Sequence, residues 1–223
     1  MSRHPAPEEL LLDYAAGNLP EGPALAVALH VALDPAARQA VDGLSALGGA
    51  LLEDEAAGEG GFDDPDIGAA LEATLAKLGA APVEPKPAPV ARRPGFEWAP
   101  APLLRYLGPK AGWKKKFGGF EEIAIGLHGD THRVSLLRLE PGKGLPVHRH
   151  VGNEYTIVLQ GGYTDNTGNY GVGDFAVGPG PEQHEPIADP GPACIALIVV
   201  EKPIVLTGAW GRLLNPFLRW GWV

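Results

Sequence analysis

The stretch Gly142-Lys-Gly-Leu-Pro-Val-His148-Arg-His150-Val-Gly-Asn-Glu154, closed by Gly161 and followed by His184, decides how this chain is read. His148 and His150 stand two apart, so on a β-strand both side chains point to one face. Val151-Gly152-Asn153 offers a turn, and Glu154 leads into the predicted strand Tyr155–Leu159, where it can face the same interior. Gly161-Gly162 reads as a hairpin turn. His184 comes after the predicted strand Phe175–Val177 and the breaker run Pro179-Gly180-Pro181, and an antiparallel fold can return it opposite the first three groups. Three neutral imidazoles and one carboxylate form an N3O set. Such a set suits zinc, iron, manganese, nickel or copper, and spacing alone does not choose among them. A bare His-x-His pair would read as a surface pair and His184 as an unrelated core histidine. The glutamate four residues on and the flanking glycines shift the expectation to a metal site of His148, His150, Glu154 and His184.

Outward from this stretch, short apolar runs alternate with Gly and Pro signals: Glu121–Leu127, Arg133–Leu139, Tyr155–Leu159, Phe175–Val177 and Ile195–Val200. That spacing predicts an all-β barrel or jelly roll. Upstream the pattern is helical. EELLLDYAAG over 8–17 predicts a helix stopped by Gly17. Pro20 and Pro23 open a second helix reaching about Leu33, with Leu25, Leu29 and Leu33 on one stripe. Asp34-Pro35 is an N-cap followed by proline at the first helical position. The third helix runs to about Glu53, with Val41, Leu44, Leu47 and Leu51 expected on its buried side. A fourth, about 66–79, carries Ile67, Leu71, Leu75 and Leu78. Residues 81–95, rich in Pro and Ala, predict a semi-extended linker. The fold class is thus α + β in two domains: a small N-terminal helical bundle over 1–80, the linker, and a β-barrel (jelly roll) over 96–223.

Composition narrows the function. The 223 residues are 45% hydrophobic, ordinary for a globular protein. The single cysteine, Cys194, allows no intramolecular disulfide and fits a reducing compartment. The N-terminus lacks a signal-peptide pattern, and no apolar run approaches the roughly 20 residues that span a bilayer. A cytoplasmic protein with no membrane partner is expected. Residues 1–90 carry 4 Lys/Arg against 15 Asp/Glu, whereas 91–223 carry 14 against 12. An acidic first half repels phosphates, so direct nucleic-acid contact is not expected there. It suits a basic protein partner, or simply a solvated surface. Lys114-Lys115-Lys116 reads as a solvated face, His128 and His132 as exposed residues of a hairpin turn, and Glu182 and Glu185 as loop charges. The five tryptophans read mostly as barrel packing or end-covering residues.

Gly142-x5-His148-x-His150-x3-Glu154-x6-Gly161 resembles the first motif of the cupin superfamily at every position. Gly173-x5-Pro179-x-Pro181-x2-His184 resembles the second, with Pro181 where glycine is usual and Ala188 where asparagine often stands. LLLDYAAGNLPEGPALAVALHVALDPAARQAVDGLSALGGALLE resembles the N-terminal domain of ChrR-type anti-sigma factors, and the resemblance extends through APLLRYLG to the C-terminal NPFLRW. It implies a helical domain over residues 1–80 that grips an extracytoplasmic-function (ECF) sigma factor. It also implies a C-terminal cupin β-barrel that senses an oxidative signal through one divalent metal, zinc ahead of iron, manganese or nickel.

Two departures from the family pattern matter. Its helical domain usually binds zinc through an early histidine and His-x3-Cys-x2-Cys. Here His4 and His30 remain, but the cysteine positions are Asp34 and Ala37. Structural zinc normally needs four protein ligands, so this N-terminal zinc is expected to be absent, with Asp34 serving as an N-cap and His30 left as a polar residue on its helix. The family's Cys-x-Cys near the last strand is reduced to Cys194, which reads as a small buried apolar residue; a redox-sensitive thiol near the barrel interior is the alternative. The competing reading of the whole chain is a cupin metalloenzyme, dioxygenase-like, with a relic helical domain.

Overall fold

The computed structural model describes residues 2–56, 65–80, 93–116, 118–127, 129–178, 183–202 and 205–207. His128, Glu182, the run Pro179–Pro181, most of the expected linker, and Trp210, Trp220 and Trp222 lie outside the described residues. The N-terminal part forms helices α1 (Glu8–Ala15), α2 (Glu21–Leu33), α3 (Pro35–Ala56) and α4 (Pro65–Ala80), and a short α5 (Ala101–Leu104) follows. The strands are β1 (Lys114–Lys115), β2 (Glu121–Ile125), β3 (Arg133–Leu139), β4 (His148–Arg149), β5 (Glu154–Gln160), β6 (Gly162–Thr164), β7 (Asn169–Gly171), β8 (Phe175–Val177), β9 (Ile187–Ala188), β10 (Cys194–Val200) and β11 (Val205–Leu206). They form a six-stranded sheet ordered β1-β2-β3-β10-β5-β8, a three-stranded sheet β7-β6-β9 and the pair β11-β4. Every pairing is antiparallel. This is the expected jelly-roll barrel behind a helical region.

The local signals explain the helix ends. Gly17 takes φ +72°, the left-handed conformation that glycine adopts without a Cβ penalty, and ends α1. The Asp34 carboxylate accepts the backbone N–H groups of Ala36 at 2.7 Å and Ala37 at 3.3 Å, capping the α3 donors that have no intrahelical partner.

One core joins helices to barrel. Leu25, Val27 and Leu29 of α2 pack in the same cluster as Val134, Leu136, Ile157, Leu197 and Val199. Along β3, β5 and β10 the side chains alternate with period two. Val134, Leu136, Leu197 and Val199 face the helices, while Ser135, Leu137, Ala196 and Ile198 face the barrel interior. Both faces of these strands are covered, which is why CIALIVV is apolar throughout rather than alternating. Leu29, Leu136, Ile157 and Leu197 are fully buried, each contributing roughly 1.5–3 kcal/mol relative to exposure.

Three expectations are corrected. Gly161-Gly162 is not a hairpin turn: β5 belongs to the six-stranded sheet and β6 to the three-stranded one, so the chain changes sheets there. Gly161 does so at φ +65°, where a Cβ would lie 2.8 Å from the carbonyl oxygens of Pro192 and Ala193. In α3, Val41 is buried but Leu47 and Leu51 are 57% and 63% exposed, because only the first half of that helix meets α1 and α2. The described side chains of α4, residues 67–78, are all exposed, so its apolar stripe does not close a four-helix core.

Candidate metal centre

β4 and the segment around His184 are bridged directly. The His148 N–H donates to the His184 carbonyl at 3.2 Å, and the His184 N–H donates back to the His148 carbonyl at 3.0 Å. This reciprocal pair sets the two side chains opposite each other, and His150, two residues on, shares their face. His184 Nε2 lies 2.9 Å from His148 Nε2 and 2.9 Å from His150 Nε2. All three rings are buried.

The other ring nitrogens fix what those Nε2 atoms offer. His148 Nδ1 is 2.8 Å from the Pro146 carbonyl, and His184 Nδ1 is 3.0 Å from Asp165 Oδ2. Both partners only accept, so each Nδ1 carries the proton and each Nε2 presents a lone pair. His150 Nδ1 sits 2.8 Å from Glu154 Oε2, at ion-pair distance but without the alignment of a hydrogen bond. Lone pairs converging at this separation repel one another unless a cation stands among them. A proton is a poor candidate, because burial lowers the His148 pKa to about 4. The three histidines fit a metal ion and can hold one: imidazole nitrogens, buried, with Pro146 and Asp165 accepting behind His148 and His184 and the Glu154 carboxylate beside His150.

Of the four residues expected from sequence, His148, His150 and His184 come together, and Glu154 stands beside His150 rather than at the Nε2 convergence. Thr156 Oγ1 donates to Glu154 Oε1 at 3.0 Å. Burial works to raise the Glu154 pKa, but the His150 ring beside it, with His148 and His184 further off, holds it below the usual value. Asp165 escaped the sequence reading. Asp165-Asn-Thr-Gly168 spells a turn, and the carboxylate closes it by accepting the Thr167 N–H at 2.8 Å and the Gly168 N–H at 3.1 Å. Nothing in its sequence spacing from His184 signals that the second oxygen serves an imidazole.

Beside the histidines lies a cavity of about 160 Å³, lined by Leu137, Leu139, Ala196 and Ile198 together with His148 and His184. Cys194 lines it, and burial pushes its thiol up to about 12, so it stays protonated. Glu122 also faces the cavity, gripped by Lys116 at 3.1 Å and Arg133 at 3.0 Å. Lys114 and Lys115 are exposed, as expected of a solvated face, but Lys116 is half-buried because it neutralises this carboxylate. His132 is likewise not exposed: its Nδ1 meets Asp130 at 2.6 Å, and Asp130 in turn accepts the Gly22 N–H of α2. Glu185 is an exposed loop charge.

His4, His30 and Asp34 are each engaged elsewhere. His30 is completely buried; its Nδ1–H donates to the Gly173 carbonyl at 2.9 Å, and its Nε2 accepts the Ala6 N–H at 3.1 Å. Rather than a leftover polar residue, it ties α2 to the barrel. Asp34 accepts from both the backbone and the hydroxyl of Ser2. The Ser2 hydroxyl bond, outweighing burial, holds its carboxyl far below the usual range. His4 Nδ1 lies 3.3 Å from Asp174 Oδ2.

A jelly-roll barrel with converging imidazoles and helices docked on its outer sheet defines a cupin, with a histidine cluster that could hold a metal ion, joined to a helical module. Residues 110–203 match the ChrR cupin-like domain family. The chain is also 33% identical to the anti-sigma-E factor ChrR of Cereibacter sphaeroides, over 97% of its own length and 98% of that protein's. It belongs to the ChrR family of anti-sigma factors. A crystal structure of Rhodobacter sphaeroides SigE in complex with the anti-sigma factor ChrR contains a chain that superposes with a TM-score of 0.70 at 31% identity, covering 89% of this chain and 98% of that one. Among the described residues no helix is long and apolar enough to cross a membrane.

Proposed function

We propose that this protein is a cytoplasmic anti-sigma factor whose helical domain, residues 1–80, sequesters an ECF-type sigma factor, and whose cupin domain senses an oxidative signal through one divalent metal, zinc first, held by His148, His150, Glu154 and His184. The observation that carries the reading is the leucine surface of α3 and α4. Leu47, Leu51 and Leu52 on α3, and Leu71, Leu75 and Leu78 on α4, are 49–68% exposed. Apolar rows of this kind on an acidic module mark a binding face for a partner with apolar grooves and basic surroundings. Polymerase- and DNA-binding surfaces of a sigma factor have that character. The crystallised relative is bound to SigE.

When bound, the metal would supply a Lewis-acidic centre held by the histidines beside the cavity. The protein side chains orient the imidazoles, give the cavity apolar walls with Leu137, Leu139 and Ile198, and keep Cys194 protonated. Metal-bound imidazoles are suitable targets for singlet oxygen or an organic hydroperoxide, and a changed ligand shifts the balance between bound and released sigma factor. Catalysis is not part of the reading: Glu122, which also faces the cavity, is fixed as a carboxylate between two cations.

The test is capture of an ECF sigma factor from the same host by the full chain, compared with the double variant Leu71→Asp and Leu75→Asp. Loss of two buried leucines and burial of two charges is expected to weaken capture by about 100-fold or more. Metal content and barrel melting stay unchanged, because both leucines are exposed in the free chain. Capture as tight as wild type would sink the assignment of this face.

A further inference from the structure

We infer that Asp165 is a positioning residue that reports the state of the metal centre to helix α3, through the 165–169 turn and the N-terminal segment 2–6. The inference rests on the reading of the cupin as the sensing domain and adds the route by which its state leaves the barrel.

The links are all direct contacts. Asp165 holds His184 with one oxygen and closes its own turn with the other. The Thr167 hydroxyl in that turn meets Tyr170 Oη at 3.0 Å. The His4 ring packs on Tyr170 with centroids 4.4 Å apart, and Arg3 donates to Asn169 Oδ1 at 2.6 Å. The N–H groups of Arg3 and His4 both donate to Asp174 Oδ1, at 2.6 and 3.1 Å, and the His4 carbonyl accepts from the Phe175 N–H at 2.8 Å. Immediately before them, Ser2 donates twice to Asp34, the N-cap of α3. The far half of α3 carries the exposed leucines Leu47, Leu51 and Leu52.

The metal supplies the two states. A metal on Nε2 would anchor the far side of the His184 ring and so hold its Nδ1–H on the Asp165 carboxylate. With the metal removed, the ring keeps only its hydrogen bond to Asp165 and its backbone pair with His148, and is freer to turn. The turn is therefore held more firmly in one state than in the other, and the 2–6 segment, seated on the turn, shares the difference.

Hydrogen exchange of the Arg3, His4 and Phe175 amides, followed by NMR on the full chain with zinc and after chelation, tests this without any sigma factor. Zinc removal is expected to speed exchange of the three amides by about tenfold, the effect of weakening one charge-assisted hydrogen bond. In Asp165→Asn, which keeps the turn-closing oxygen, the same zinc removal should change exchange less than about twofold, with exchange at Leu197 as slow as in wild type. Tyr170→Phe, which deletes only the hydroxyl bonded to Thr167, should shrink the response at least about threefold and serves if Asp165→Asn does not fold. Wild-type exchange insensitive to zinc, or either variant responding as wild type does, would overturn the inference. Failure of zinc to bind would instead overturn the metal reading itself, and failure to capture a sigma factor would leave the exchange result standing.

Discussion

Saturating zinc should raise the melting temperature of the metal-free wild-type chain and leave His148→Ala unmoved. A ligand that binds only the folded state stabilises it by about 4 kcal/mol at a thousandfold excess over its Kd. The ligand set has to be the one described for this to fail in the variant. His148 supplies one of the converging Nε2 atoms, and its backbone pairs with His184. Alanine keeps the backbone pair and deletes only the imidazole. Scanning calorimetry at fixed pH, with and without zinc, gives the shift. A variant stabilised by zinc as strongly as wild type would mean that the metal sits elsewhere.

His30→Ala should destabilise the protein by about 3–5 kcal/mol while keeping zinc in the barrel. The substitution leaves two buried partners, the Ala6 N–H and the Gly173 carbonyl, without hydrogen bonds, at about 1–3 kcal/mol each, and opens a cavity where a fully buried ring packed edge-on against Phe175. Urea unfolding reads the loss. Burial lowers the His30 pKa, so the ring is neutral at pH 7 and the penalty is one of hydrogen bonds and packing rather than of charge. A loss under 1 kcal/mol would mean that the helices do not depend on this tie.

The sequence made the barrel and the imidazoles legible because their spacing is local. His-x-His is a strand-face pair, and the glycines and prolines around it have backbone reasons. The first three helices were legible through caps and stripes such as Asp34-Pro35 and Leu25/Leu29. What stayed hidden depends on contacts remote in sequence. Asp165 went unread because only its turn-closing half is local, while its other oxygen serves His184, 19 residues away. Lys116 looked like surface because its buried partner, Glu122, lies on the neighbouring strand. His30 looked idle because its partners are a backbone carbonyl in the β7–β8 corner and an amide in the N-terminal segment. The stripe on α3 and α4 had the period of a buried face, and period cannot say whether the covering surface belongs to the same chain. Leu47 and Leu51 show that here it does not among the described residues.

The central claim is that a single metal is held in the barrel and that the helical region, with Asp34 and Ala37 in place of two cysteines, is fastened by hydrogen bonds instead. The most direct measurement is zinc per chain in wild type, His148→Ala and His30→Ala, each purified in the same way and quantified by elemental analysis. The account predicts about one zinc in wild type, none in His148→Ala and about one in His30→Ala. Two zinc ions in wild type, or one that survives His148→Ala and is lost with His30→Ala, would contradict it.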